Sequence, residues 1–151
     1  MKTFNEIIKT GDAQYTVELY IDDRIKSRII ATATNGESIA ISIQRGLVLQ
    51  DGTLLKNDDD EILQIQSALE DVSTITAKDN LALTLLAYHL GNRHVPLEIS
   101  EKGYLRYQVD HVLDDMVVKL GGCLVHEKAK FAPESGAYSH HDHHDHKHHH
   151  E

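Results

Sequence analysis

The sequence predicts an α+β protein with a small all-β domain at residues 1–67, a ferredoxin-like domain at residues 68–132 and a disordered histidine-rich tail at residues 133–151. Three observations support this prediction. Short alternating segments separated by turns fill the first part. The order then becomes strand, helix, strand, strand, helix, strand. The last residues contain almost no apolar side chain that a core could bury.

The first domain is predicted from strand alternation and turn residues. Tyr15, Val17, Leu19 and Ile21 alternate with polar residues, as in a half-buried strand. Asn35-Gly36 is a strong hairpin signal, because both residues tolerate positive φ. Strands are predicted at residues 15–21, 25–32, 38–43 and 62–66, with a turn at 22–23. Such a module, without a catalytic constellation, is predicted to bind a partner protein.

The second domain contains two predicted helices. The first spans residues 78–90 and ends at Gly91, and the second is capped by Asp110. Strands are predicted at residues 72–76, 95–99, 104–109 and 123–131. This order gives a four-stranded antiparallel sheet with both helices on one face. The other face is expected to be apolar enough to bind a second copy as a symmetric homodimer.

The tail carries the most evident chemistry. Neutral imidazole coordinates nickel, zinc and copper, so a tract of this composition predicts metal binding that weakens as the rings protonate. Asp142, Asp145 and Lys147 interrupt the histidines, which favours a native metal tail over an expression tag, although the tag interpretation stays open. The predicted ligands are His140, His141, His143, His144, His146, His148, His149 and His150.

Composition excludes several classes of function. The net charge of -9, with 15 basic against 24 acidic residues, argues against a nucleic-acid partner. The single cysteine, Cys123, excludes an internal disulfide and a cysteine-based zinc finger. We expect a cytoplasmic protein that does not enter membranes, because neither a signal peptide nor a long apolar run is present. No nucleophile elbow, phosphate loop or paired-carboxylate pattern indicates an enzyme.

Two further histidines are candidate ligands. His94 lies at the junction between the first helix and the next strand, where two copies related by a two-fold axis could supply two imidazoles to one ion. His111 begins the second helix and shares a predicted face with Asp114 and Asp115, which could form a weak metal site. A structural histidine and a solvated helix face are the respective alternatives.

Four motifs in order resemble the UreE family, the nickel metallochaperones of urease maturation. They are AYHLGNRHVPL at residues 87–97, LRY at 105–107, DHVLDDM at 110–116 and PESGAY at 133–138, followed by the histidine tail. The resemblance implies a homodimer formed by the second domain, with His94 and its symmetry mate binding one nickel and tail histidines completing the coordination. Some members carry histidines where this chain has Gln108 and Val109, which leaves only His111 for a secondary site.

These features together predict a metallochaperone that delivers Ni²⁺ to apo-urease through an accessory GTPase. Zn²⁺ and Cu²⁺ are expected to bind the same imidazoles, and Cu²⁺ more tightly. A histidine-rich store or buffer for nickel or zinc is the main alternative. A metallohydrolase using His94 and His111 is a weaker one, because the sequence offers neither three ligands nor an adjacent base.

Overall fold

The computed structural model describes residues 1–134. These form two compact units, and the boundary between the units in the sequence lies between residues 68 and 69. Unit 1 is residues 1–68 and unit 2 is residues 69–134. The α+β class, with an N-terminal β domain and a C-terminal α/β domain, is confirmed. The tail was predicted to be disordered, and its residues from position 135 onward lie outside the described residues.

Unit 1 contains two small sheets. Its elements are β1 (Lys2–Phe4), β2 (Glu6–Ile8), β3 (Tyr15–Leu19), α1 (Ile21–Arg24), β4 (Arg28–Thr32), β5 (Ser38–Ser42), β6 (Leu54–Lys56) and β7 (Ile62–Ser67). One sheet has the order β1-β5-β4 and the other β2-β6-β7-β3, with β1 parallel to β5 and β3 parallel to β7. Alternate residues of both sheets, including Phe4, Val17, Ile41 and Leu63, form one buried apolar cluster.

The turn predicted at residues 22–23 of unit 1 was wrong. The segment around Asp22 and Asp23 is a single helical turn, α1, rather than a turn between strands. It is stabilised from inside by Arg24, which is fully buried and donates hydrogen bonds to the carbonyl oxygens of Leu19 and Leu49. The first two strands were not predicted, because three residues are too few to establish an alternation.

Unit 2 has the predicted ferredoxin-like topology. Its elements are β8 (Glu70–Thr76), α2 (Asn80–Gly91), β9 (Glu98–Ile99), β10 (Leu105–Gln108), α3 (His111–Lys119) and β11 (Cys123–Ala129). The sheet order is β11-β8-β10-β9 with every pair antiparallel, so β9 and β11 are the edge strands. The Asp79 and Asp110 side chains cap the two helices by accepting hydrogen bonds from first-turn N–H groups.

Both helices of unit 2 pack on one face of its sheet. Leu86 and Leu90 of α2 and Leu113 and Val117 of α3 enter a core with the inward residues of the strands. Gly122 lets α3 turn back closely, since a Cβ atom there would lie 2.8 Å from Val117 Cγ1 and 2.9 Å from Leu86 Cδ1.

The open face of this sheet is mainly polar, contrary to the expectation of an apolar partner surface there, although Val125, opposite Thr74, is 60% exposed on it. Arg106 lies across it, with Nε donating to Thr74 Oγ1 at 2.9 Å and an ion pair to Glu127 at 3.3 Å. Three of the exposed apolar side chains of unit 2 lie in a row on the outer side of α2, while others lie on α3, β9 and β11. Leu81, Leu85 and Tyr88 follow one another along that side and are 69%, 51% and 62% exposed.

None of the helices within residues 1–134 is both long and apolar enough to cross a membrane.

Candidate metal centre

His94 is held in an unusual backbone conformation at the end of α2. The predicted stop, Gly91, is the last helical residue, and the chain continues through a tight turn in which the His94 N–H donates to the Gly91 carbonyl at 3.0 Å. The left-handed conformation typical of a terminating glycine is adopted by His94 itself, with φ of 58°. An L-residue there costs about 1 kcal/mol, and such strain is found disproportionately at functional sites.

The imidazole of His94 is open to solvent. The residue is exposed, and within residues 1–134 no hydrogen bond or ion pair reaches its ring. Its main chain is nevertheless fixed, because the preceding helix packs through buried Leu90 and the following segment packs through buried Leu97. His94 is therefore an exposed imidazole on a fixed backbone, with no side-chain partner within residues 1–134.

The segment that leads to the tail lies beside this support. After β11 the chain passes Arg106, which donates a hydrogen bond to the Lys130 carbonyl at 3.2 Å. The Ala132 N–H then donates to Glu98 Oε1 at 3.0 Å, and the Glu134 N–H donates to the Leu97 carbonyl at 2.8 Å. Leu97 is three residues after His94, so this hydrogen bond holds the end of the described chain close to the His94 turn. The eight predicted tail ligands, His140, His141, His143, His144, His146, His148, His149 and His150, lie outside the described residues.

His111 and Asp114 do not form the predicted site. His111 is exposed in the first turn of α3, whereas Asp114 is 7% exposed and is bonded elsewhere. Its Oδ1 accepts from Tyr107 Oη at 2.6 Å and Ser73 Oγ at 2.8 Å, and its Oδ2 lies 2.7 Å from His126 Nε2. Residues three positions apart lie near each other on a helix, but here the boundary between solvent and core passes between the two side chains. His111 faces solvent and Asp114 faces the sheet.

The partners of Asp114 come from three adjacent strands. Ser73 is opposite both Tyr107 and His126 in the sheet register, so the three side chains form one row on the face that α3 covers. Sequence reasoning missed this cluster and gave His126 no role. Strand alternation supplied the signal, because His126 follows the inward residue Leu124 by two positions and must face the helix.

The hydrogen bonds keep the buried carboxylate ionised. Burial raises the pKa of Asp114, but the bonds from Tyr107, His126 and Ser73 outweigh it, so the pKa of this carboxyl lies below its ordinary value of 3.8. Burial, and then the bond to Asp114, raises the pKa of the Tyr107 hydroxyl well above its ordinary range. An ionised carboxylate can only accept hydrogen bonds, so His126 donates one to Asp114 from Nε2. The Nδ1 atom of His126 takes no part in this bond.

The described residues contain no group of three or more His, Cys, Asp or Glu side chains that could hold an ion. The acidic run at residues 58–61 is a turn, in which the Asn57 side chain accepts from two N–H groups and Glu61 pairs with Lys2 at 2.8 Å. An ion at His94 or His111 therefore needs ligands from beyond residue 134 or from a second copy of the chain.

Comparison with known proteins identifies the family. The family model of the UreE urease accessory protein, N-terminal domain, matches residues 5–68, and that of its C-terminal domain matches residues 70–151. The chain belongs to the UreE family. The two matched domains correspond to units 1 and 2, and the second match extends through the histidine tail.

Individual relatives agree with this result. The Urease accessory protein UreE of Alcanivorax borkumensis is 49% identical over 128 residues, covering 82% of this chain and 72% of the relative. That of Teredinibacter turnerae is 50% identical, covering 81% and 79%. That of Proteus mirabilis is 43% identical, covering 88% and 82%.

The backbone of His94 predicts an unusual order of stabilities. We expect His94→Gly to be more stable than His94→Ala by about 1 kcal/mol, because glycine adopts positive φ without steric cost. Urea denaturation monitored by circular dichroism measures the difference. His89, inside α2, is the matched control, where Gly should instead be less stable than Ala by about 1 kcal/mol. Equal stabilities of the two His94 variants would contradict the left-handed conformation.

The Asp114 cluster predicts acid sensitivity. Because the folded-state pKa of Asp114 is depressed, its contribution to stability is complete above pH 3.8 and is lost as the pH falls through the folded pKa. Tyr107→Phe should cost about 2 kcal/mol at pH 7, since it removes a hydrogen bond to a charged group. Asp114→Asn should be less stable at pH 7 and lose less stability below pH 4.

Thermal unfolding between pH 7 and pH 3 tests this prediction. Asp115→Asn is the control, because Asp115 is the exposed neighbouring carboxylate. An Asp114→Asn variant with the same acid dependence as the native chain would exclude Asp114 as its source.

Proposed function

We propose that the chain is a nickel metallochaperone, which binds Ni²⁺ and delivers it to apo-urease while the urease active site is assembled. The relatives are named urease accessory proteins, which supports a role in urease maturation without enzymatic activity of its own. The observation that carries the nickel assignment is the position of His94, an exposed imidazole on a strained, rigid turn beside the start of the tail.

A second copy of the chain supplies the second core ligand. The stripe of Leu81, Leu85 and Tyr88 runs along α2 toward the turn that carries His94, and it is the kind of exposed apolar row that another subunit covers. A two-fold axis near this stripe brings the two His94 rings to one ion. The homodimer therefore forms through unit 2.

The tail supplies the remaining ligands. Glu134 is bonded beside the His94 turn, and the six residues from Glu134 to His140 can span about 20 Å when extended. The first tail histidines can therefore reach the core ion, and the later ones collect further ions. His111, exposed at the start of α3, is a secondary ligand.

Delivery requires exchange and a partner. Imidazole ligands bind Cu²⁺ more tightly than Ni²⁺ and also accept Zn²⁺, so the choice of nickel comes from metal supply and from the receiving complex. That complex contains apo-urease and an accessory GTPase in the cytoplasm. Residues 1–67 serve as the partner-binding domain, residues 68–132 as the metal-binding and dimerisation domain, and residues 133–151 as the metal-gathering tail.

Nickel titration tests the core site. A chain ending at Tyr138 keeps the Glu134 bond and lacks all eight tail histidines. We expect isothermal titration to give one Ni²⁺ per two chains for this form, more for the full chain, and no tight site for His94→Ala. His89→Ala is the control, because it removes an imidazole from the same helix.

The same variants separate a chaperone from a store. Nickel-loaded full chain should activate apo-urease in the presence of the GTPase and GTP, and His94→Ala should fail although its tail still binds ions. Activation by His94→Ala at the native level would favour a nickel store, and a shortened chain without a dimer-linked ion would refute the core site.

The apolar stripe predicts the oligomeric state. Leu85→Asp and Tyr88→Asp should yield monomers in light scattering and lose the core nickel site, because each buries a charge in the interface. Val118→Asp is the control, since Val118 is 59% exposed and lies on the other helix, α3. Dimers that persist in both stripe variants would place the interface elsewhere.

A further inference from the structure

Unit 1 carries an open cleft that the metal chemistry does not use. The cleft has a volume of about 750 Å³ and lies where the start of β4 meets the end of β5. The Ile43 N–H donates to the Ser27 carbonyl at 2.8 Å, and Arg28 is opposite Ser42, so both walls have fixed backbones. The lining residues are Lys26, Ser27, Arg28, Ser42, Ile43 and Arg45.

The charge of this cleft is opposite to that of the chain. The chain has a net charge of -9, yet three of the seven basic residues of unit 1 line the cleft. The seven are Lys2, Lys9, Arg24, Lys26, Arg28, Arg45 and Lys56. Lys26 pairs with Asp23 at 3.1 Å, whereas Arg28 and Arg45 form no ion pair among the described residues. Two exposed guanidinium groups are thus available to one ligand.

A shallow apolar depression adjoins the cleft. It has a volume of about 520 Å³ and shares Arg28 and Ser42 with the cleft. Ile30, which is 74% exposed, lines the depression and is paired with Ala40 of β5. Ala40 is paired on its other side with Thr3 of β1. The small side chains beside Ile30 leave room for one apolar group of a ligand. β4, which carries Arg28 and Ile30, is an edge strand of its sheet.

We propose that this surface, the cleft together with the depression, binds a short acidic segment of a partner protein that also carries apolar side chains. Guanidinium groups bind carboxylates in bidentate geometry, and the depression receives an apolar side chain of the same segment. The inference rests on the partner-binding role proposed for residues 1–67 and deepens it, because it names the surface and the chemistry of the bound segment. The surface contains no histidine or other metal ligand.

Other anions fit less well. A nucleic acid needs a basic surface along many phosphates, whereas unit 1 has eleven acidic residues, Glu6, Asp12, Glu18, Asp22, Asp23, Glu37, Asp51, Asp58, Asp59, Asp60 and Glu61, against seven basic ones. Free phosphate leaves the apolar depression unused. The tail of the chain itself has eight imidazoles and Lys147 among few carboxylates, so its composition opposes binding here.

Fluorescence anisotropy with a labelled synthetic peptide, EDLEDLED, tests the proposal on the full chain. We expect binding that weakens about 30-fold or more in the triple variant Lys26→Glu, Arg28→Glu, Arg45→Glu. The control variant, Lys9→Glu, Lys78→Glu, Lys102→Glu, makes the same charge change at exposed lysines that do not line the cleft and should bind nearly as the native chain does. Ile30→Ser should weaken binding several-fold.

Three probes distinguish the ligand classes. The peptides QNLQNLQN and EDSEDSED, which lack the carboxylates and the leucines respectively, should both bind more weakly than EDLEDLED. Labelled oligothymidylate should bind more weakly still. Absence of EDLEDLED binding, equal loss in both triple variants, or tighter binding of the oligonucleotide would each overturn the proposal.

Nickel titration of the cleft variant keeps this result separate from the proposed function. Unchanged Ni²⁺ binding with lost peptide binding supports the cleft alone, because charge reversal at Lys26, Arg28 and Arg45 touches no metal ligand. If the cleft variant lost both peptide binding and Ni²⁺ binding while its circular dichroism spectrum stayed native, a surface independent of the metal site would be contradicted.

Discussion

The fold of unit 2 depends on one buried carboxylate. Asp114 is the point where α3 meets three strands at once, and each of its oxygens is engaged by Tyr107, Ser73 or His126. A charge in that position is tolerated only with its partners, since an unpaired buried carboxylate costs several kcal/mol. Rotation or sliding of α3 would separate Asp114 from the row. The helix is therefore fixed in register by chemistry as well as by packing.

The global organisation could be read from the sequence, because it depends on patterns that extend over many residues. The ferredoxin-like order followed from helical and strand periods, and Asp110 was recognised as a cap because its neighbours begin an apolar repeat. Features set by single contacts could not be read. The inward direction of Asp114 depends on Ser73, 41 residues away in the sequence, and on Tyr107 and His126, and these three become neighbours only in the sheet.

The candidate site was found in part for the same reason. His94 was recognised from its place in a motif, but its left-handed backbone was not, since Gly91 offered the residue type expected there. The open sheet face was taken as apolar because periodicity does not reveal that Arg106 spans it with Thr74 and Glu127. The row of exposed apolar side chains lies on α2 instead.

The path of residues 130–134 determines where the tail starts. β11 is one edge of the sheet and β9 the other, so three strand spacings of about 4.8 Å separate the last strand from the edge beside His94. The Ala132 and Glu134 bonds fix the chain after it has made this crossing. A change in the number of residues before Glu134 consequently has a different effect from a change after it. Residues inserted after it leave the start of the tail beside the β9 edge, whereas residues deleted before it would move that start toward β11.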